Sequence, residues 1–187
     1  MKTFKYLAAS LLPVLILLAL PLRPACVSRF GTEVVLAVRP VDPRDLFRGD
    51  YVALSFEAKS VPLELFPVPD GKQPAWAVPD LSVWYIALAP DKKGLWSPSG
   101  AFAEAPEGPY LKGTVKYLSK RGDGSMTAEM DYGEGLKRFY VKENTGRALE
   151  ESARQSRLQA TVKVWRGMAV IQSLEVSSEA VGEPQTP

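Results

Sequence analysis

The sequence predicts a mainly antiparallel β domain, a sandwich or an open barrel of about seven or eight strands, behind an N-terminal transmembrane helix. Three observations predict this class. Short stretches with alternating apolar residues recur from Thr32 to Val176. Turns rich in glycine or proline separate these stretches. One stretch alone, residues 144–155, has the pattern of a short soluble helix, with Asn144 or Thr145 as its N-cap.

Residues 1–30 form the predicted membrane anchor and its juxtamembrane linker. A helix over about residues 5–22 is apolar, and its uncharged part spans about 26 Å, close to the thickness of a bilayer core. Signal peptidase needs a small residue three positions before its cut, and Arg23 occupies that position ahead of Cys26. We therefore predict an uncleaved signal anchor. Lysines before the helix favour a cytoplasmic N-terminus, which makes this a single-pass protein of the cytoplasmic (inner) membrane with its C-terminal domain outside the cytoplasm.

The formal net charge of +2 comes from the membrane flanks. Lys2, Lys5, Arg23 and Arg29 are the only charged residues before Glu33, and without these four the chain has 19 basic and 21 acidic residues. The rest of the chain therefore has no excess of basic residues, and we predict no nucleic-acid partner.

The chain has no histidine and one cysteine, Cys26. A Ser-His-Asp triad, a Cys-His pair and a histidine-containing zinc site are excluded, and so is an intrachain disulfide. Cys26 beside the membrane is open to lipidation or to pairing with another chain, although a small apolar role is favoured. We predict neither a metal nor a cofactor.

The predicted globular domain covers residues 31–176, and the polar tail 177–187 is predicted to be disordered. One predicted strand, 81–89, is apolar on both faces and should be central in its sheet. Prolines are frequent in 59–80 and 90–109, so we expect loops there, the first with one helical turn. The predicted strands are, in order, 32–39, 50–58, 81–89, 110–118, 125–132, 137–142, 157–165 and 168–176.

The stretch DPRDLFRGDYVALSF, residues 42–56, crowds charges around a glycine and then becomes a strand. In one interpretation the carboxylates bond nearby amides and the arginines neutralise them, which makes a structural turn. In the others the cluster docks a partner, performs acid–base chemistry or holds a cation. Along the strand, alternate residues point to the core. The candidate residues are Asp42, Arg44, Asp45, Arg48, Gly49, Asp50, Tyr51, Leu54 and Phe56.

Three further patterns give weaker candidates. Arg-Gly-Asp occurs at 48–50 and again at 121–123, and the triplet is ordinary turn chemistry. Trp84 is predicted to lie in the core, whereas Trp76 and Trp96 fall on predicted loops and could contact a ligand. A Ser–Lys dyad is the one nucleophilic arrangement left open, with Lys59 beside Ser60 as an example.

The stretch PVDPRDLFRGDYVALSF resembles the signature of the GDYXXLXY proteins, a bacterial family. WYIALAPDKKGLW, YLKGTVKY and DYGEGLKRFYVKENTGRALEES resemble further blocks of the family in the same order, from the anchor to about Val176. Phe56 stands where the family has tyrosine, so a hydroxyl is not essential there. The resemblance implies a short membrane-anchored protein with an extracytoplasmic domain, and it carries over no biochemical activity.

The expected function is that of an accessory protein that docks on an integral-membrane partner through Asp42–Tyr51 and the proline loops. The alternative is an enzyme or a binder of a small ligand or cation that uses the Asp/Arg cluster at 42–51. Docking predicts an exposed patch around Tyr51. Catalysis predicts a pocket that holds Asp45 or Asp50 with a perturbed pKa. A purely structural motif predicts neither.

Overall fold

The computed structural model describes residues 11–39 apart from Leu12 and Ile16, and residues 51–67, 78–140 and 158–177, with the backbone alone at 51–53, 138 and 140. Within these ranges the chain is mostly strand. The helix that leads into the β domain, α1, spans Leu22–Phe30. The strands are β1 Thr32–Arg39, β2 Tyr51–Ala53, β3 Ser55–Phe56, β4 Ser60–Pro62, β5 Val83–Pro90, β6 Trp96–Phe102, β7 Tyr110–Lys120, β8 Met126–Asp131, β9 Arg138–Tyr140, β10 Leu158–Trp165 and β11 Met168–Val176.

The strands form two sheets and a ribbon. One sheet has four strands in the order β11-β10-β1-β3, the other has five in the order β4-β8-β7-β5-β6, and β2 pairs with β9 in a two-stranded ribbon. The pairs within them are antiparallel. The predicted mainly antiparallel β class is thus confirmed, and the predicted central position of the 81–89 strand agrees with β5, which lies between β7 and β6.

Alternation of side chains places one face of each sheet in a shared core. On β1, Val34 and Leu36 lie opposite Val162 and Ala160 of β10, and all four are buried. On the five-stranded sheet, Ile86 and its neighbours on β7 and β8 are buried in the same cluster. The two sheets therefore enclose one hydrophobic core.

The sheets also touch outside the core. Val35 of β1 forms an isolated bridge with Leu95 next to β6, and Leu111 of β7 forms another with Gly167 between β10 and β11. Chain connectivity joins them as well, because the residues after β3 turn through Glu57–Lys59 into β4. These contacts and this connection hold the two sheets together on either side of the core.

The hairpins agree with the prediction. Residues 121–125 connect β7 to β8, where the Arg121 N–H donates to the Ser125 carbonyl at 2.8 Å. Arg166 and Gly167 connect β10 to β11, both with positive φ. Polar residues and glycine adopt the backbone conformations that tight turns require, so both hairpins could be predicted from the sequence.

Two of the predicted loops are wrong in part. Within 90–109, residues Trp96–Phe102 form β6. Its Pro98 is tolerated because β6 is at the edge of its sheet, where a strand can lack a donor on one side. Within 59–80, Ser60–Pro62 form β4, also an edge strand, and the turns on either side of it are 3-10 helices.

The predicted linker 23–30 is helical. The helix from Pro13 to Phe30 is long and apolar enough to cross a membrane, and it is a candidate span near the N-terminus. Its last part, α1, packs on β10 and β11 through Val27, which is 1% exposed. Ser28 accepts a hydrogen bond from Gln172 at 3.2 Å. The predicted soluble helix 144–155 and residues 178–187 of the tail lie outside the described residues.

Candidate functional site

The structure begins to describe the motif at Tyr51. The charged residues predicted as candidates, Asp42, Arg44, Asp45, Arg48 and Asp50, and Gly49 with them, lie outside the described residues. The backbone of Tyr51–Ala53 forms β2, opposite Tyr140, Phe139 and Arg138 of β9. The motif thus enters the described fold on a two-stranded ribbon.

The strand predicted over 50–58 is broken at Leu54. The Leu54 N–H donates to the Lys137 carbonyl at 3.0 Å, and Ser55–Phe56 then pair with β1 instead of β9. Residues 51–53 pair with β9 and residues 55–56 pair with β1, so the break at Leu54 is the point at which the chain changes its partner strand. The motif strand therefore passes from the ribbon into the main sheet.

Leu54 and Phe56 are both core residues, as predicted. Phe56 is fully buried opposite Val38, and Leu54 is 4% exposed. A phenylalanine needs no hydrogen-bond partner in this position, so the absence of the family's tyrosine hydroxyl leaves no polar group unpaired. The second half of the motif is a packing element.

The segment that follows the motif is tied to β8 by a buried tyrosine. The Tyr132 hydroxyl donates to the Ala58 carbonyl at 2.7 Å. Burial raises the pKa of this phenol far above its ordinary value, and the nearby Glu129 carboxylate adds to the effect. Tyr132 is therefore a neutral hydrogen-bond donor that holds the Glu57–Lys59 turn in place.

Lys59, which follows Ala58 in the chain, is a half-buried cation. Its ammonium donates to the Leu54 carbonyl at 3.3 Å, so it spans the break in the motif strand. Burial lowers the pKa of Lys59 below its ordinary value, while attraction to the Asp131 carboxylate opposes this shift. The lysine thus bonds the motif backbone and is attracted to the Asp131 carboxylate of β8.

Ser60 connects β1 to β8 in a short chain of polar contacts. The Arg39 guanidinium donates to the Ser60 hydroxyl at 2.9 Å, and that hydroxyl donates to Glu129. Because the hydroxyl of Ser60 and the ammonium of Lys59 have these separate partners, the pair does not form the nucleophilic dyad that the sequence left open.

Asp131 is the centre of the charges near Lys59. Its carboxylate lies 3.3 Å from the ammonium groups of Lys116 and Lys137, and it accepts the Gly133 N–H at 2.9 Å. The Gly133 hydrogen bond first, and the two lysines in addition, hold the pKa of Asp131 below its ordinary value. Lys137 also pairs with Glu134 at 2.8 Å, and these two carboxylates raise its pKa.

We call Lys59, Lys116, Glu129, Asp131 and Lys137 the Asp131 cluster. Sequence reasoning missed it as a group, since its members come from four separate stretches of the chain. The one local signal is the polar alternation along β7 and β8, which shows that these side chains leave the core but not that they meet. Asp131 pairs with Lys116 and Lys137, and Lys59 bonds the Leu54 carbonyl, so the cluster adjoins the break in the motif strand.

The aromatic candidates have structural contacts. Trp84 packs partly buried against the core, as predicted, with its ring 5.1 Å from that of Phe66. The prediction that Trp96 lies on a loop is wrong, because it begins β6 and packs against the core. Trp76 lies outside the described residues.

The second Arg-Gly-Asp triplet, 121–123, is a turn. The Asp123 carboxylate accepts the Ser125 N–H at 2.8 Å and the Ser125 hydroxyl at 2.7 Å. These bonds lower the pKa of Asp123 below its ordinary value. The triplet therefore has the hairpin role that its composition predicts.

In the part of the chain that the structure describes, no three acidic or cysteine side chains are grouped so that they could hold a metal ion. The groups described next to the motif are the charges paired at Asp131 and the buried phenol of Tyr132, and each of them has a protein partner.

The sequence model of the GDYXXLXY protein family matches residues 13–174 of this chain. The chain belongs to the GDYXXLXY family. The match runs from the apolar helix to β11 and so includes both sheets and the ribbon. Comparison with curated proteins and with solved structures finds no match. Within this GDYXXLXY protein, the described half of the motif connects the ribbon to the core.

Proposed function

We propose that this GDYXXLXY protein is a membrane-anchored accessory protein that docks on an integral-membrane partner. In this proposal the N-terminal helix, about residues 5–22, holds the chain in the cytoplasmic membrane and the β domain lies outside the cytoplasm. The partner contact is made by Asp42–Tyr51 and by the proline loops.

One observation carries the proposal. The apolar helix of Pro13–Phe30 includes α1 as its last part, and Val27 of α1 is buried on the β domain. An anchor that is joined to its domain by packing keeps the domain close to the bilayer and limits its rotation. This is the geometry expected of a protein that acts on a neighbour in the same membrane.

The two halves of the motif differ in structure, and this difference supports the first half as the contact surface. Leu54 and Phe56 are buried and cannot touch a partner. The residues before them lead into β2, which is in a ribbon with β9 and outside both main sheets. The ribbon pairs with no strand of either main sheet, and a strand edge is a surface to which another chain can add.

The test is chemical crosslinking in intact membranes with wild type and the double variant Asp50→Ala/Tyr51→Ala. The matched control is Asp123→Ala/Tyr117→Ala, which removes an aspartate from the second Arg-Gly-Asp triplet and an exposed tyrosine, 56% accessible, from β7. Circular dichroism and thermal melting establish that each variant is folded.

We expect wild type and the control to capture the same integral-membrane protein and the motif variant to lose it. Equal capture by all three folded proteins contradicts docking through the motif. Loss of capture together with binding of a small solute at 42–51, measured by calorimetry, would favour the ligand-binding alternative.

A further inference from the structure

Aromatic side chains form a connected surface at the end of α1. The ring of Phe30, the last residue of the helix, is 6.3 Å from the ring of Trp165 at the end of β10. Phe30 is 67% exposed, so its ring is open to an occupant of this face. The Arg166 guanidinium lies 5.0 Å from the Trp165 ring centroid.

This surface continues onto the five-stranded sheet. The Lys112 N–H donates to the Gly167 carbonyl at 2.9 Å, so the β10–β11 turn lies against the start of β7. A Cβ on Gly167 would lie 3.0 Å from the Tyr110 ring and 2.7 Å from the Lys112 Cβ. The glycine therefore permits a close approach that brings Tyr110 next to the turn.

From Tyr110 the contacts reach β5. The Tyr85 and Tyr110 rings are 5.7 Å apart in an edge-to-face arrangement, and the Lys112 ammonium lies 5.5 Å from the Tyr85 ring centroid. Each cation is thus stacked on a ring. We name this surface the aromatic–cationic belt, and it consists of Phe30, Tyr85, Tyr110, Lys112, Trp165 and Arg166.

We propose that the aromatic–cationic belt lies on the bilayer surface, with its rings at the level of the headgroups and its two cations against anionic lipid phosphates. This rests on the membrane anchoring in the proposed function. It goes beyond that function because it assigns the domain a lipid contact of its own and a fixed face toward the membrane.

Continuity with the apolar helix identifies the occupant. The candidate membrane span ends at Phe30, which is also the first residue of the belt. The proposed anchor ends at about residue 22, and the nine residues of α1 that follow it span about 13 Å, so Phe30 and the Trp165 ring that it contacts lie within about 13 Å of the end of the anchor, close to the headgroups. Tyrosine and tryptophan are enriched at that depth because they have an apolar body and a polar tip.

Charge gives the second argument. Among the described residues, no carboxylate forms a salt bridge with Lys112 or Arg166. Lys163 of β10 is by contrast paired with Glu33 at 3.2 Å. Cations that are left without a protein carboxylate complement an anionic lipid surface, and each contributes about a fivefold preference for it.

The test uses the full chain in vesicles of phosphatidylcholine alone or mixed with phosphatidylglycerol. Cys26→Ser removes the native thiol, and Met168→Cys places an environment-sensitive fluorophore beside the β10–β11 turn. A second variant, Lys120→Cys, has the fluorophore at the other end of β7, about 33 Å from Tyr110 along the strand. Quenchers attached to the lipid and quenchers in water report where each fluorophore lies.

We expect lipid-borne quenchers to reach the fluorophore at 168 and not the one at 120, and the effect to be stronger with phosphatidylglycerol. Lys112→Glu/Arg166→Glu should lower the contact about 25-fold or more. Lys120→Glu/Arg121→Glu, which reverses two charges at the far end of β7, should leave the signal at 168 unchanged.

Other outcomes overturn the inference. Exposure of the fluorophore at 168 to water, or equal lipid quenching at both positions, excludes a belt contact. Shielding from both quenchers indicates a second copy or another protein on this face. Resistance of the chain to alkaline extraction is measured in parallel: extraction contradicts the anchoring itself, whereas a retained chain with a water-exposed belt contradicts the belt alone.

Discussion

At the scale of single residues, the described half of the motif is held by ordinary packing and by the Asp131 cluster. Phe56 is buried in the core, and the Lys59 ammonium bonds the Leu54 carbonyl at the break in the strand. Asp131 forms salt bridges with Lys116 and Lys137. None of these groups is left without a partner. The chemistry near the motif is therefore that of a support, and it predicts a specific dependence of stability on pH.

Asp131→Asn should flatten the loss of stability in acid. The pKa of Asp131 is lowered in the folded state, so its stabilisation is present above its unfolded pKa, about 3.9, and is lost as the pH falls through the folded value. Asparagine has no titratable carboxyl group, so this part of the acid dependence should disappear. The variant should also be less stable than wild type at neutral pH, because it loses the charged pairs with the two lysines. Chemical denaturation of the full chain in detergent between about pH 7 and pH 3 measures this. If the free energy of unfolding falls equally steeply in acid for the two proteins, Asp131 is not a source of the acid dependence.

At the scale of elements, the hairpins and long strands could be predicted from sequence, and the edge strands could not. The β7–β8 and β10–β11 turns have glycines at positive φ between alternating strands, a local signal. The strand β6 contains Pro98, which locally indicates a loop. These residues form a strand because they pair with β5, and a local sequence pattern does not show which strands pair.

The two hairpin glycines allow a matched comparison. Gly124 and Gly167 both have positive φ, but a Cβ on Gly124 meets open space whereas one on Gly167 meets Lys112 and Tyr110. Gly124→Ala should lower the free energy of unfolding by about 1 kcal/mol through φ alone. Gly167→Ala should cost about 1–3 kcal/mol more because β7 must move away from the turn. Thermal and chemical unfolding of both variants checks this, and equal losses would mean that the approach of β7 to the turn is not tight.

At the scale of the whole molecule, α1 joins the candidate membrane span to the β domain. Val27 is buried on β10 and β11, and the Gly31 N–H closes the helix on the Val27 carbonyl at 2.8 Å. Both the proposed partner contact and the proposed belt contact depend on this joint, since a freely jointed domain would have no fixed face toward the bilayer.

Val27→Asp should release the joint. A buried carboxylate without a partner is costly, so α1 should leave the sheet while the core between the sheets persists. Hydrogen exchange in vesicles should become faster at residues 27–31 and along β11, and remain slow in β7. Val176→Asp is the control, because Val176 is 54% exposed at the end of β11 and should leave exchange near α1 unchanged. Slow exchange at 27–31 in the Val27 variant would show that the helix does not depend on this contact.

The sequence by itself determined the family, the β class, the apolar N-terminal segment and the burial of Leu54 and Phe56. These follow from local patterns: alternation of apolar residues, turn chemistry and an uncharged run. The tertiary structure alone decided that the motif strand breaks at Leu54, that β4 and β6 join the sheet, and that the Asp131 cluster and the aromatic–cationic belt exist. Each of these depends on residues that are far apart in the chain and meet only when both sheets have formed around the core.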